Sequence, residues 1–101
     1  MKKLIRTYMP GKRTQDRETE TPIDLDECRK TVGFMIEVHI YAGLTVCCDE
    51  EAKIYGKQKS LCLDGCVYRG NLMVGHLTDE GLNPVTEEEL EEFERHITIR
   101  F

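Results

Sequence analysis

The segment from Phe34 to Tyr41 alternates apolar and other side chains, and this pattern limits the possible folds more than any other feature of the sequence. An apolar residue at every second position is the period of a β-strand with one buried face. The apolar set is Phe34, Ile36, Val38 and Ile40. The next pair, Ala42-Gly43, is either a hairpin turn or a bulge, because a second β-like run, Leu44 to Cys48, follows it.

A second hairpin is predicted at Asp64-Gly65, because both positions of this kind of turn require a positive φ. The β-like runs Ser60 to Leu63 and Cys66 to Arg69 flank the turn. Leu72 to Leu77 is predicted as a further strand, and the alternating residues Ile97 to Phe101 are predicted as a last strand. These segments predict an antiparallel sheet of about four or five strands.

Two helices are predicted, one before and one after most of these strands. Pro22 to Thr31 follows Thr21 as N-cap, has Pro at its first position and is followed by Gly33 as a C-terminal cap. Near the C-terminus, Thr86 and Glu89 have the spacing of a capping box. The predicted fold is a small single α+β domain in which one N-terminal and one C-terminal helix pack on the antiparallel sheet.

Charge divides the chain into two regions. Met1 to Arg17 carries six Lys or Arg residues against one Asp, whereas the other 84 residues carry eight against eighteen Asp or Glu. Pro10 to Thr21 has no apolar side chain to bury, which predicts a mobile loop, and Leu4 to Met9 before it favours a short strand. We therefore predict residues 1–21 as a basic N-terminal arm, with strand and mobile loop, and residues 22–101 as an acidic α+β body of the same domain.

Length and composition exclude several classes of protein. A chain of 101 residues is too short for a second independently packed core. No window approaches the roughly 18 to 20 consecutive apolar residues that a membrane-spanning helix needs. Charged residues from Arg6 onward interrupt the beginning that resembles a signal peptide. We expect a cytoplasmic protein whose five cysteines are reduced thiols.

The acidic body predicts a binding function. Acidic residues in the last helix and in the turn before it offer a surface for a basic protein partner. The predicted surface consists of Asp79, Glu80, Glu87, Glu88, Glu91 and Glu92. Since the sequence has no catalytic signature, we predict no enzyme, but a small cytosolic protein that inhibits or modulates another macromolecule by occlusion, as immunity-type proteins and nucleic-acid mimics do. The negative body opposes direct nucleic-acid binding, and sheet edges allow a homodimer.

Cysteines and histidines give the alternative function, a metal or small-molecule binding domain with weak Cys/His-based catalysis. Thiolates and imidazoles are the ligands of tetrahedral zinc. The candidate ligands are Cys47, Cys48, Cys62, Cys66, His39 and His76. Adjacent cysteines on a strand point to opposite faces, which weighs against Cys47 and Cys48 sharing one ion. Core packing of reduced cysteines is the simpler interpretation, and it requires no cofactor.

Overall fold

The computed structural model describes residues 2–101, so Met1, the first residue of the predicted arm, lies outside the described residues. The described chain forms two helices and ten strands. In chain order these are β1 (Lys3–Met9), β2 (Arg13–Glu18), α1 (Leu25–Val32), β3 (Ile36–Tyr41), β4 (Leu44–Asp49), β5 (Lys59–Leu63), β6 (Cys66–Arg69), β7 (Leu72–Thr78), β8 (Gly81–Asn83), β9 (Val85–Thr86), α2 (Glu87–Glu94) and β10 (Ile97–Arg100). Within residues 2–101, neither helix is long and apolar enough to cross a membrane.

The strands form two antiparallel sheets. The large sheet has seven strands: five lie in the order β2-β1-β7-β4-β3, β8 pairs with β7, and β9 pairs with β1. The small sheet has three strands in the order β10-β5-β6. A small α+β domain with an antiparallel sheet and two helices is thereby confirmed. The predicted number of strands was too low, because β2, β8 and β9 lack the alternating pattern that identifies a strand in a sequence.

The basic N-terminal segment belongs to the large sheet. The strand β1 pairs with β2 on one side and with β7 and β9 on the other, so it is an interior strand. Where a mobile loop was predicted, the chain forms β2, which has no buried residue. Pairing with β1 holds β2 in place, together with an ion pair of 2.7 Å from Arg6 Nε to Asp16 Oδ1.

Both helices have side-chain caps at their N-terminal ends. The N-cap of α1 is Asp24 instead of Thr21, because Ile23 is held in extended conformation by a bridge to Leu82. The Asp24 carboxylate accepts a hydrogen bond from the backbone N–H of Glu27 at 2.8 Å. The capping box predicted for α2 at Thr86 is confirmed.

Two apolar cores lie on the two faces of the large sheet. The first core lies between the large sheet, the small sheet and α2, and includes Leu4, Tyr8, Val46, Cys48, Leu63, Tyr68, Leu72, Leu90 and Phe93. The second core lies under α1 and consists of Ile5, Ile23, Cys28, Val32, Cys47, Met73 and Leu82. Consecutive residues of one strand therefore enter different cores, as the two-residue period of a strand requires.

A polar cluster closes the first core at the end of α2. Oε2 of Glu94 accepts hydrogen bonds from the Tyr8 hydroxyl and from Nη2 of Arg100, both at 2.8 Å. Arg6 Nη1 lies 3.4 Å from the same oxygen. The half-buried Glu94 thus links α2 to β1 and β10.

The strand β3 has the predicted alternation but the opposite orientation. Two of its apolar side chains face solvent, with Val38 45% and Ile40 64% exposed, whereas Ile36 is partly buried against the second core. His39 and Tyr41 instead lie toward the small sheet, where the hydroxyls of Tyr41 and Tyr68 are 2.9 Å apart. The reason is the position of β3 at the edge of the sheet: α1 packs on β4 and β7 and leaves the outer face of β3 open.

Burial of two thiols leads us to expect a loss of stability in alkali. Burial raises the pKa of Cys47 and that of Cys48 from 9.0 to about 12. Above pH 9 the unfolded thiols lose protons that the folded thiols keep, so the free energy of unfolding falls until about pH 12, by at most about 1.4 kcal/mol per pH unit for each thiol.

Urea unfolding under reducing conditions measures this pH dependence. We expect the unfolding midpoint to fall between about pH 8 and about pH 10, and to fall less steeply in Cys47→Ala, which lacks one of the two thiols whose pKa rises to about 12. The same pH dependence in both proteins would contradict the assignment to Cys47.

Candidate functional site

A cleft of about 220 Å³ opens between the large and the small sheet. The strands β3 and β4 form one wall, and β6 forms the other. Its lining includes Glu37, His39, Cys48, Cys66 and Tyr68, together with the charged residues Asp49, Glu50, Lys53 and Arg69. The cleft thus collects carboxylate, imidazole, thiol and phenol groups in one place.

The hairpin of β3 and β4 brings three of these side chains together. Glu37 lies opposite Cys48 in the pairing, and His39 is two residues further along β3. Residues opposite each other on antiparallel strands point to the same face, and so do residues two apart on one strand. The turn that sets this pairing is Ala42-Gly43, with φ values of 51° and 77°, so the structure selects the hairpin over the bulge.

The potential ligand atoms of this hairpin have nearly the spacing that a metal ion requires. Nε2 of His39 is 3.6 Å from Oε1 of Glu37, and one ligand atom each of Glu37, His39 and Cys48 lie within 4.8 Å of one another. Ligand atoms of tetrahedral zinc are about 3.5 Å apart, since the bonds measure about 2.0 to 2.3 Å.

Cys48 carries a protonated thiol in the folded chain. It is 5% exposed, and its S–H group donates to the backbone oxygen of Glu37 at 3.3 Å. Burial is the main reason why the pKa of Cys48 rises to about 12, and the negative charges of Glu37 and Asp49 add to it. A catalytic thiol needs a lowered pKa, whereas a metal ion displaces the thiol proton on binding. The raised pKa therefore disfavours a free nucleophile, and a metal ion bound here would have to displace the thiol proton.

Cys66 and Tyr68 form the opposite wall of the cleft. Cys66 is the first residue of β6, and its thiol is exposed at the rim. Burial chiefly raises the pKa of Tyr68, and the nearby Cys66 thiol contributes to the rise at both Tyr68 and Cys48. The Tyr68 ring also packs edge-on against the His39 ring, with centroids 5.5 Å apart, and so holds the imidazole inside the cleft.

The remaining candidate ligands lie elsewhere. Cys47 is in the second core under α1, on the opposite face of the sheet from Cys48, as predicted. Cys62 is buried in β5, and His76 is exposed on β7. The structure therefore brings His39, Cys48 and Cys66 to the same cleft, and adds Glu37, which was not among the predicted metal ligands. Its position two residues before His39 on the same strand was the available signal.

The predicted acidic surface is exposed but divided into two groups. Asp79 and Glu80 lie in the turn between β7 and β8, beside the N-terminal end of α1. The second group lies on α2 and consists of Glu87, Glu88, Glu91 and Glu92. Two of these glutamates have exposed ion-pair partners, Lys2 at 3.7 Å from Glu87 and Arg95 at 3.1 Å from Glu92. Such exposed pairs contribute little to stability, and they partly neutralise the surface.

Comparisons with protein families, with curated proteins and with solved structures found no match to this chain.

Proposed function

We propose that this protein binds one zinc-class divalent ion in the cleft between its two sheets. The observation that carries the proposal is the convergence of Glu37, His39 and Cys48, whose ligand atoms lie within 4.8 Å of one another on one sheet face. A set of oxygen, nitrogen and sulfur ligands is typical of zinc, whereas Mg²⁺ and Ca²⁺ take oxygen ligands.

Cys66 is the fourth ligand in this proposal. It lies on the opposite wall of the same cleft, outside the group of three whose ligand atoms are within 4.8 Å of one another, so its thiol would have to move toward them when the ion binds. With Cys66 included, the ion has four protein ligands and no open position for a water molecule, which is the arrangement of a structural zinc site. The ion would connect β3 and β4 of the large sheet with β6 of the small sheet, and so stabilise their packing.

Zinc titration of the reduced protein, purified without metal-affinity resin, tests the proposal. We expect about one zinc ion per chain in competition with a chromophoric chelator, and a thermal midpoint that rises with the zinc concentration. Mg²⁺ at the same concentration serves as the control and should leave the midpoint unchanged. Failure of zinc to compete with the chelator and to shift the midpoint would contradict the proposal.

The exposed glutamates of α2 support a second proposal: a small acidic protein that inhibits or modulates a basic partner by occlusion. Reversing the charge of Glu88, Glu91 and Glu92 to Lys should abolish salt-sensitive capture of such a partner from the native lysate, because surface charges steer and orient association. The matched control reverses three exposed acids outside α2 and outside the cleft: Glu18, Glu20 and Asp26. Equal loss of capture in both triple variants, or in neither, would contradict a role of α2.

A further inference from the structure

The two edges of the large sheet differ in how they avoid pairing with another strand. At one edge, β2 exposes six polar or charged residues, a composition that discourages edge-to-edge association. At the other edge, β3 exposes the apolar side chains of Val38 and Ile40 on the face away from the cleft, and Phe34 just before the strand is 80% exposed. The free edge of β3 therefore has one exposed apolar face, with Glu37 as its one acidic residue, and such an edge is typical of a strand that pairs with another chain.

We propose that β3 pairs antiparallel with β3 of a second copy of this chain, which joins the two large sheets into one continuous sheet. In a two-fold symmetric pair, residues that lie opposite each other must point to the same sheet face. The symmetry axis therefore passes between the two copies of one residue of β3. The polar side chains of β3 favour one choice of that residue.

An axis at Val38 gives the complementary register. It places Glu37 opposite His39 of the partner subunit, and Ile36 opposite Ile40 of the partner subunit. An axis at Glu37 would place two carboxylates opposite each other, and an axis at His39 would place two imidazoles opposite each other, and like groups at these positions are unfavourable. The register at Val38 thus combines apolar contacts on one face with unlike polar groups on the other.

This inference does not depend on the metal proposal, and the two are compatible. Zinc bound by Cys48 and Cys66 would replace two thiol protons, so metal binding would leave the net charge near the edge unchanged. The register would then still avoid two facing Glu37 carboxylates. The exposed apolar face used by the dimer is opposite to the face that lines the cleft.

Light scattering coupled to size exclusion tests the dimer. We expect the wild-type chain to have twice its monomer mass of 11.7 kDa, and Val38→Lys to weaken the dimer by about 100-fold or more, because two lysines would face each other at the axis. Gln15→Lys is the matched control, since it introduces the same charge on the exposed strand β2 at the other edge. Both variants should retain the wild-type circular dichroism spectrum.

Disulfide cross-linking tests the register. In a Cys66→Ser background, which removes the exposed native thiol, Val38→Cys should form an intermolecular disulfide on mild oxidation, because directly opposed residues are about 4.5 to 5.5 Å apart. Ile40→Cys should not, since its copy would lie roughly 13 Å away along the strand. The proposal would be overturned if the wild-type chain stayed monomeric at all concentrations. A monomer that binds an added apolar peptide but not a second copy would also overturn it. Equally fast cross-linking of both variants would overturn it too.

Discussion

Phe93→Ala should lower the free energy of unfolding by about 3 to 5 kcal/mol, the usual cost of removing a fully buried aromatic side chain. Phe93 is 0% exposed and lies in the first core. Its ring centroid is 5.7 Å from that of Tyr8 and 6.5 Å from that of Tyr41, so one side chain joins α2 to two strands of the large sheet. A domain of this size has a total stability of about 5 to 15 kcal/mol, so the variant should be close to unfolding at 37 °C.

Urea unfolding followed by circular dichroism measures this change. Glu91→Ala is the control, because Glu91 is an exposed residue of the same helix and its replacement should change the stability by less than about 0.5 kcal/mol. If Phe93→Ala lost no more stability than Glu91→Ala, α2 would not be packed on the first core as described.

His39→Ala should weaken zinc binding by about 100-fold or more. Loss of a residue that only orients a zinc ligand costs about 10- to 100-fold in affinity, and a ligand that contacts the ion directly should cost at least as much. His39 is the one imidazole in the cleft among the described residues, so no neighbouring histidine can replace it. Competition with a chromophoric chelator measures the affinity.

His76→Ala is the matched control for this variant. The sequence analysis put both histidines in one ligand set, but the structure places His76 exposed on β7 and away from the cleft. We expect wild-type zinc affinity for His76→Ala. Equal affinities of the two variants would mean that zinc binds elsewhere or that His39 is not a ligand.

The parts of the fold that the sequence predicted are those determined by neighbouring residues. The capping box of Thr86 and Glu89 closes within one helical turn, and the positive φ of Asp64 and Gly65 follows from a two-residue turn. Such signals do not depend on the rest of the molecule, which explains why they were confirmed.

The parts that the sequence did not predict depend on distant residues. The polar strand β2 forms because β1 provides a pairing edge, and β1 in turn is fixed by β7 more than sixty residues later. Val38 and Ile40 face solvent because α1 packs on β4 and β7 and leaves the outer face of β3 open. Glu94 follows the pattern of the exposed glutamates of α2, yet Tyr8 and Arg100 hold it at the edge of the core.

The candidate site likewise has one part that local pairing determines and one part that depends on distant residues. Glu37 and His39 share a strand face, and the hairpin turn fixes Cys48 opposite Glu37, so this part follows from local pairing. Cys66 joins them only because the small sheet packs on the large one, which no local pattern indicates. The two-residue period correctly separated Cys47 from Cys48 but did not show which of them faces the cleft.

The most direct test of the zinc proposal is the optical spectrum of the protein with one equivalent of Co²⁺, which takes the place of zinc in such sites and reports its ligands. We expect thiolate-to-cobalt charge-transfer absorption and the intense visible bands of tetrahedral cobalt. Both should weaken in Cys48→Ser and stay unchanged in His76→Ala. A pale spectrum of octahedral cobalt, the same in the wild type and in Cys48→Ser, would show that the cleft does not bind a metal ion through its thiols.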